Sequence, residues 1–141
     1  MIAIYPGSFN PFHQGHLEVL KKGLALFEKV YVVVTKNILK EQESNFEQRV
    51  ETLKQMINGL EGCEVLINEN KLSAELAKEL KASYMIRGVR DAKDFNYELE
   101  LSDANKYLNK ELETIIFIAD SESREISSSR IKEIERYKKG E

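Results

Sequence analysis

The chain has 141 residues, 42% of them hydrophobic and 32% charged, with a formal net charge of −3. That length can bury a core without staples and predicts one domain over residues 1–141, while the mild negative balance excludes a global basic field for nucleic acid or an anionic membrane. A single cysteine, Cys63, excludes an intrachain disulfide and fits a reducing cytoplasm.

Ile2-Ala3-Ile4-Tyr5 reads as a buried strand, ended by Pro6 and Gly7. It has no basic segment before it and is too short for a signal peptide or a membrane span. A helix starting near Gln14 carries the stripe Leu17, Leu20, Leu24 and Phe27. Val30 to Thr35 is a β-branched second strand. Phe46, Val50, Leu53, Ile57 and Leu60 mark the second helix, with Ser44 or Asn45 as its cap. Glu64 to Ile67 is the third strand. Ser73 caps a short helix with Leu76 and Leu80, or lies at a ligand. Tyr84-Met85-Ile86 is the fourth strand. A long helix from Asp91 to about Asn109 has apolar side chains on more than one face, which predicts that another surface covers it. Thr114 to Ala119 is the fifth strand, and Ser127 opens a last helix with Ile131 and Ile134 inward.

Five such units predict an α/β fold: a Rossmann-like, doubly wound five-stranded parallel sheet with helices on both faces. Ligands then bind beyond the carboxyl ends of the strands, near the switch point. Residues just after strands one, two, four and five are therefore the candidates for chemistry.

Neither a Walker A sequence nor Gly-x-Gly-x-x-Gly is present. The first strand is followed instead by Pro6-Gly7-Ser8-Phe9-Asn10-Pro11-Phe12-His13-Gln14-Gly15-His16. Its glycines allow a close backbone approach, and the helix start offers free N–H groups and a positive dipole end to a phosphate. His13 and His16, the chain's two histidines, share a face of that helix start. No third His and no second Cys supports zinc, so no protein-held metal is expected. Lys40 follows strand two. Arg87 and Arg90 follow strand four around Gly88, and forked guanidinium groups suit phosphate. Ser127-Ser128-Ser129 combines three hydroxyls with a helix start, where one serine would suffice as a cap.

Gly7 to Pro11 followed by His13-Gln14-Gly15-His16 resembles the H-x-G-H (or T-x-G-H) signature of the nucleotidyltransferase superfamily. Ile86-Arg87-Gly88-Val89-Arg90, Asp94 to Glu98, Glu111-Leu112-Glu113 and Ile126-Ser127-Ser128-Ser129 resemble phosphopantetheine adenylyltransferases, in the same order and across nearly the whole chain. The resemblance implies adenylyl transfer from ATP to 4′-phosphopantetheine with Mg²⁺, in a cytoplasmic homohexamer. It implies catalytic roles for His16, Lys40, Arg90 and Ser128, with His16 stabilising the transition state. It implies an ATP site of Ser8, Phe9, His16, Gly88, Val89, Arg90, Glu98, Ser123, Arg124, Glu125, Ile126, Ser127, Ser128 and Ser129. It implies that Ser8, Lys40, Ser73 and Arg87 bind the acceptor.

An acceptor phosphate is already nucleophilic at neutral pH, so the reaction needs positioning and positive charge rather than a general base. A histidine at a helix start can be a neutral donor for it. His13 stands where that family often has Thr. With it, Gly7 to His16 also resembles nicotinate-mononucleotide adenylyltransferases, and glycerol-phosphate cytidylyltransferases share the fold. A nucleotide-binding sensor without turnover is the non-enzymatic alternative, and Glu98 as a solvated helix charge is the bland reading of that residue. Family members carry aromatic residues where this chain has Glu122 to Glu125, and usually continue through another helix.

Overall fold

The computed structural model describes residues 1–36, 45–120 and 126–140. Lys40, Ser44, Ser123, Arg124 and Glu125 lie outside the described residues.

The described elements are β1 (Ile2–Gly7), α1 (Gln14–Leu26), β2 (Lys29–Thr35), α2 (Phe46–Met56), β3 (Cys63–Asn68), α3 (Ser73–Glu79), β4 (Tyr84–Val89), α4 (Ala92–Leu108), β5 (Glu113–Ile118) and α5 (Ser128–Lys138). The five strands form one parallel sheet in the order β3-β2-β1-β4-β5. The expected doubly wound sheet is the one that forms.

Strand periodicity assigns the two faces. Ala3 and Tyr5, Val30, Val32 and Val34, and Ile86 join α1 and α2 in one core cluster with Leu20 and Leu53. Ile4, Val33 and Met85 point the other way, onto Ala74 and Ala77 of α3. Fully burying a side chain the size of Leu20 or Ile4 contributes roughly 1.5–3 kcal/mol. The helix α1 lies close against β4: a Cβ on Gly88 would sit 2.8 Å from a methyl of Val19, so the backbone there must be bare.

Several boundaries differ from expectation. The strand β4 runs three residues past Ile86, because Arg87, Gly88 and Val89 stay paired with Ile116, Phe117 and Ile118 of β5. Arg87 is thus inside the strand, and only Arg90 lies beyond its end. Ser73 is not a cap: Leu72 occupies the cap position of α3 without a side-chain bond, and Ser73 begins the helix. Asn45 stands at the cap of α2 but makes no capping bond; its amide reaches Asn10 Oδ1 instead, at 3.3 Å.

Ile131 and Ile134 do not point inward. They are 43% and 41% exposed, and α5 buries no residue at all against the described chain. In α4 the pattern is inverted: Glu98 and Asn105 are its buried residues, while Phe95, Tyr97 and Leu99 are exposed. The uncovered apolar side of α4 is the one its sequence marked for another surface.

Candidate active site

The topology has one reversal. From β1 the chain steps outward through β2 and β3, then returns to place β4 on the other side of β1. A crevice forms at such a point because neighbouring connections leave in opposite directions. Here the strands also part: β1 and β4 are in register only at Ala3 with Tyr84 and Ile4 with Met85. Beyond that pair a cleft of about 380 Å³ opens, lined by Ser8, Phe9, His13, His16, Arg87, Gly88, Arg90 and Glu98 among others.

Arg87 occupies the parting. Period-2 alternation puts its side chain on the α4 face, and α4 brings Glu98 there. Arg87 Nε and Nη2 donate to the two Glu98 carboxylate oxygens at 2.7 and 2.8 Å, and Nη1 donates to Pro6 O at 2.8 Å. The guanidinium thereby satisfies a β1 carbonyl at the mouth of the cleft. Burial alone would depress the Arg87 pKa, but the Glu98 bonds and charge outweigh it and hold it above its usual value. Glu98 is 5% exposed, which overturns its reading as a solvated helix charge. Burial raises the nearby Tyr5 hydroxyl above its ordinary pKa.

The histidines form a reciprocal cap at the start of α1. His13 Nδ1 accepts from Gly15 N–H at 3.0 Å, and His16 Nδ1 accepts from His13 N–H at 3.1 Å. An accepting Nδ1 is unprotonated, so neutral His16 carries its proton on Nε2. Its pKa falls to about 4, through burial first and then electrostatic interaction with His13, Arg87 and Arg90. Phe12 stacks on the ring and Phe9 meets it edge-on, with centroids at 5.4 and 5.1 Å. The result is a fixed, neutral Nε2–H donor at a helix start whose first turn has no acidic residue to cancel the dipole.

Phe9 is 3% exposed with φ +46°. Its ring belongs to the core, against Tyr5 and Phe12. Arg90 is the exposed counterpart of Arg87: its side chain is 74% exposed and Nε donates to Asp94 Oδ2 at 3.2 Å.

The described geometry brings Ser8, Phe9, His16, Arg87, Gly88, Arg90 and Glu98 to one cleft. Val89 is not among the cleft residues and lines a neighbouring depression with Phe95, Ile116 and Ile118. Ser73 begins α3 and is not among the cleft residues. Nor are Ile126, Ser127, Ser128 and Ser129: Ser127 caps α5 by accepting from Arg130 N–H at 3.2 Å, and its hydroxyl lies 3.3 Å from that of Ser129. Among the described residues no group of three His, Cys, Asp or Glu could hold a metal ion.

Sequence reasoning missed Tyr5, Asp94 and Tyr97 in the cleft wall, and Arg49 behind it. Arg49 is 3% exposed and donates to Ser8 O at 2.7 Å. A signal existed: Phe46, Arg49, Val50 and Leu53 follow the i, i+3, i+4, i+7 spacing of a buried stripe, with a charge in one slot.

The cytidylyltransferase-like family model matches residues 4–134. A Mycoplasma capricolum protein named phosphopantetheine adenylyltransferase is 51% identical over 138 residues, 98% of this chain and 99% of the relative. One of the same name from Limosilactobacillus fermentum is 40% identical over 133 residues, 94% of this chain and 76% of the relative. Among solved structures, Plasmodium falciparum nicotinic acid mononucleotide adenylyltransferase superposes with a TM-score of 0.60 at 23% identity, covering 93% of this chain and 69% of that one. That likeness speaks for the fold alone. Carried by identity across nearly its full length and by a cleft at the switch point, the chain belongs to the phosphopantetheine adenylyltransferases of the cytidylyltransferase-like family.

Proposed function

We propose that this chain transfers the adenylyl group of ATP to 4′-phosphopantetheine, giving dephospho-coenzyme A and pyrophosphate. The observation that carries this reading is the neutral His16 Nε2–H donor, fixed at a helix start beside Arg87 and Arg90. An oxygen of the acceptor phosphate attacks the α-phosphorus in line. The bond from that phosphorus to the bridging oxygen breaks, and pyrophosphate leaves with the electron pair. No proton has to be removed from the nucleophile, so a hydrogen-bond donor and cations suffice.

In this reading His16 donates to the α-phosphate as charge builds there. Ser8 and the Phe9 backbone hold ATP, with Gly88, Val89 and Arg90 along its other side. Arg87 keeps N–H groups for the acceptor phosphate while Glu98 fixes its plane. Lys40, Ser73 and the stretch Ser123 to Ser129 complete the acceptor and triphosphate ends. Arg90 and Ser128 act with His16 and Lys40 on the reacting phosphates. Asp94 and Glu98 are engaged with arginines and would not hold Mg²⁺, which would enter on the nucleotide and supply charge neutralisation.

The exposed Phe95, Tyr97 and Leu99 of α4 and Ile131 and Ile134 of α5 support self-association as a homohexamer. No described helix is long and apolar enough to cross a membrane. We place the protein in the cytoplasm, without nucleic-acid or membrane partners.

The test is turnover of the purified protein with ATP, Mg²⁺ and each acceptor. Dephospho-coenzyme A and pyrophosphate should form together. Turnover of nicotinate mononucleotide alone would replace the acceptor. ATP binding without pyrophosphate release would make the protein a sensor. Sedimentation equilibrium reads the oligomer.

A further inference from the structure

We propose that Arg49 is a positioning residue for the nucleotide: by holding the Ser8 carbonyl it aims the Phe9 amide at the cleft and so sets ATP affinity. This rests on the adenylyl-transfer reading of the site. Arg49 touches no reacting atom; it works from behind the β1–α1 loop, on α2.

Three observations converge. Arg49 is 3% exposed, and its Nη1 donates to Ser8 O at 2.7 Å across 41 residues of sequence. Its guanidinium carbon lies 4.8 Å from the centroid of the Phe46 ring, which fixes the plane of the fork. From the same turn of α2, Asn45 Nδ2 donates to Asn10 Oδ1 at 3.3 Å. The start of α2 therefore grips the loop on both sides of Phe9.

A peptide bond makes this grip consequential. The Ser8 C=O and the Phe9 N–H belong to one plane and point in opposite directions. A donor that holds the oxygen on the α2 side turns the N–H away from α2, at a point where Ser8 and Phe9 line the cleft. Phe9 is at φ +46°, an uncommon setting for a bulky residue. Such a conformation persists only where its surroundings over-determine it. The rings of Tyr5, Phe12 and His16 hold the side chain; Arg49 holds the peptide.

Packing alone would not select this residue. A leucine or methionine would fill that slot of the α2 stripe without burying a cation, which is costly unless the charge is engaged. A backbone amide at a phosphate gains most from being fixed before the ligand arrives.

The experiment measures steady-state kinetics and ATP titration calorimetry on the full chain and on Arg49→Gln and Arg49→Lys. Arg49→Gln should lose about tenfold in kcat/KM for ATP, nearly all of it in KM, with the acceptor KM within about twofold. Arg49→Lys keeps one donor for the carbonyl but loses the fork stacked on Phe46, and should retain about a two- to threefold rise in ATP KM. A folded Arg49→Gln with unchanged ATP KM and ATP affinity overturns the proposal. So does a loss in kcat alone that tracks the folded fraction. Should Arg49→Gln not fold, Arg49→Lys decides: a two- to threefold rise in ATP KM with the acceptor KM fixed supports the role, and no rise overturns it. A parent protein without turnover counts against the adenylyl-transfer reading, and the ATP titrations then judge Arg49 by themselves.

Discussion

The cleft between β1 and β4 and the start of α5 are built in opposite ways. At the β1–β4 end every element is tied to another: Arg87 to Glu98 and Pro6, His16 to His13, Arg49 to Ser8. At the α5 end, Ser127, Ser128 and Ser129 open a helix that buries nothing against the described chain. The first end has its geometry before any ligand binds. The second, among the described residues, has no buried side chain to fix it. Preorganised donors stabilise a transition state without reorganising, whereas loosely held groups lose entropy on binding.

The strongest way to break the tied end is to leave a buried charge alone. Glu98→Ala removes the partner of Arg87, whose side chain is 20% exposed. It should cost about 3–5 kcal/mol of stability in urea unfolding. A cost below about 1 kcal/mol would mean that water already reaches the pair. His16→Ala comes next. It should lower kcat by about 10²-fold while ATP affinity stays within a few-fold, as loss of a transition-state donor does. An unchanged kcat removes His16 from the mechanism.

The pH dependence sharpens the same point. His16 is lowered from 6.5 to about 4, so as pH falls through that window the unfolded chain takes up a proton that the folded one refuses. Stability contributed by this ring is therefore present above about pH 6.5 and declines toward pH 4. Thermal unfolding between about pH 7 and about pH 4.5 should show a smaller decline in His16→Asn, and an equal decline would mean the ring titrates normally. The smallest effect belongs to the loose end. Ser127→Ala deletes a cap worth about 1 kcal/mol to its helix. With none of its described residues buried, α5 should open locally, so hydrogen exchange in α5 rises while global unfolding moves by less than about 0.5 kcal/mol. A global loss matching the cap would show that α5 is coupled to the body.

Much of the tied end was legible in the sequence, because it rests on short-range pattern. Continuous apolar runs such as Val30 to Thr35 mark interior parallel strands, and strand ends locate the loops that bind. The helix start at Gln14 and the pairing of His13 with His16 follow from local spacing. The partner of Arg87 was not legible. It depends on where α4 crosses the sheet, which buries Glu98 and Asn105 and leaves Phe95 and Leu99 outside. The step from Glu98 to Asn105 is close to two helical turns and was the available clue. Ile131 and Ile134 misled for the reverse reason: an amphipathic stripe says that a helix has an apolar side, and not that its own chain covers it.

The short contact between β1 and β4 has a mechanical meaning. With register confined to Ala3–Ile4 and Tyr84–Met85, the sheet consists of a three-strand panel and a two-strand panel sharing a narrow seam. The bond from Arg87 to Pro6 O rivets the panels at their upper edge. Beyond the paired residues that bond links the panels directly, with α1 packed against β4 at Gly88 beside it. Arg87 is therefore both a wall of the cleft and a link between its two sides.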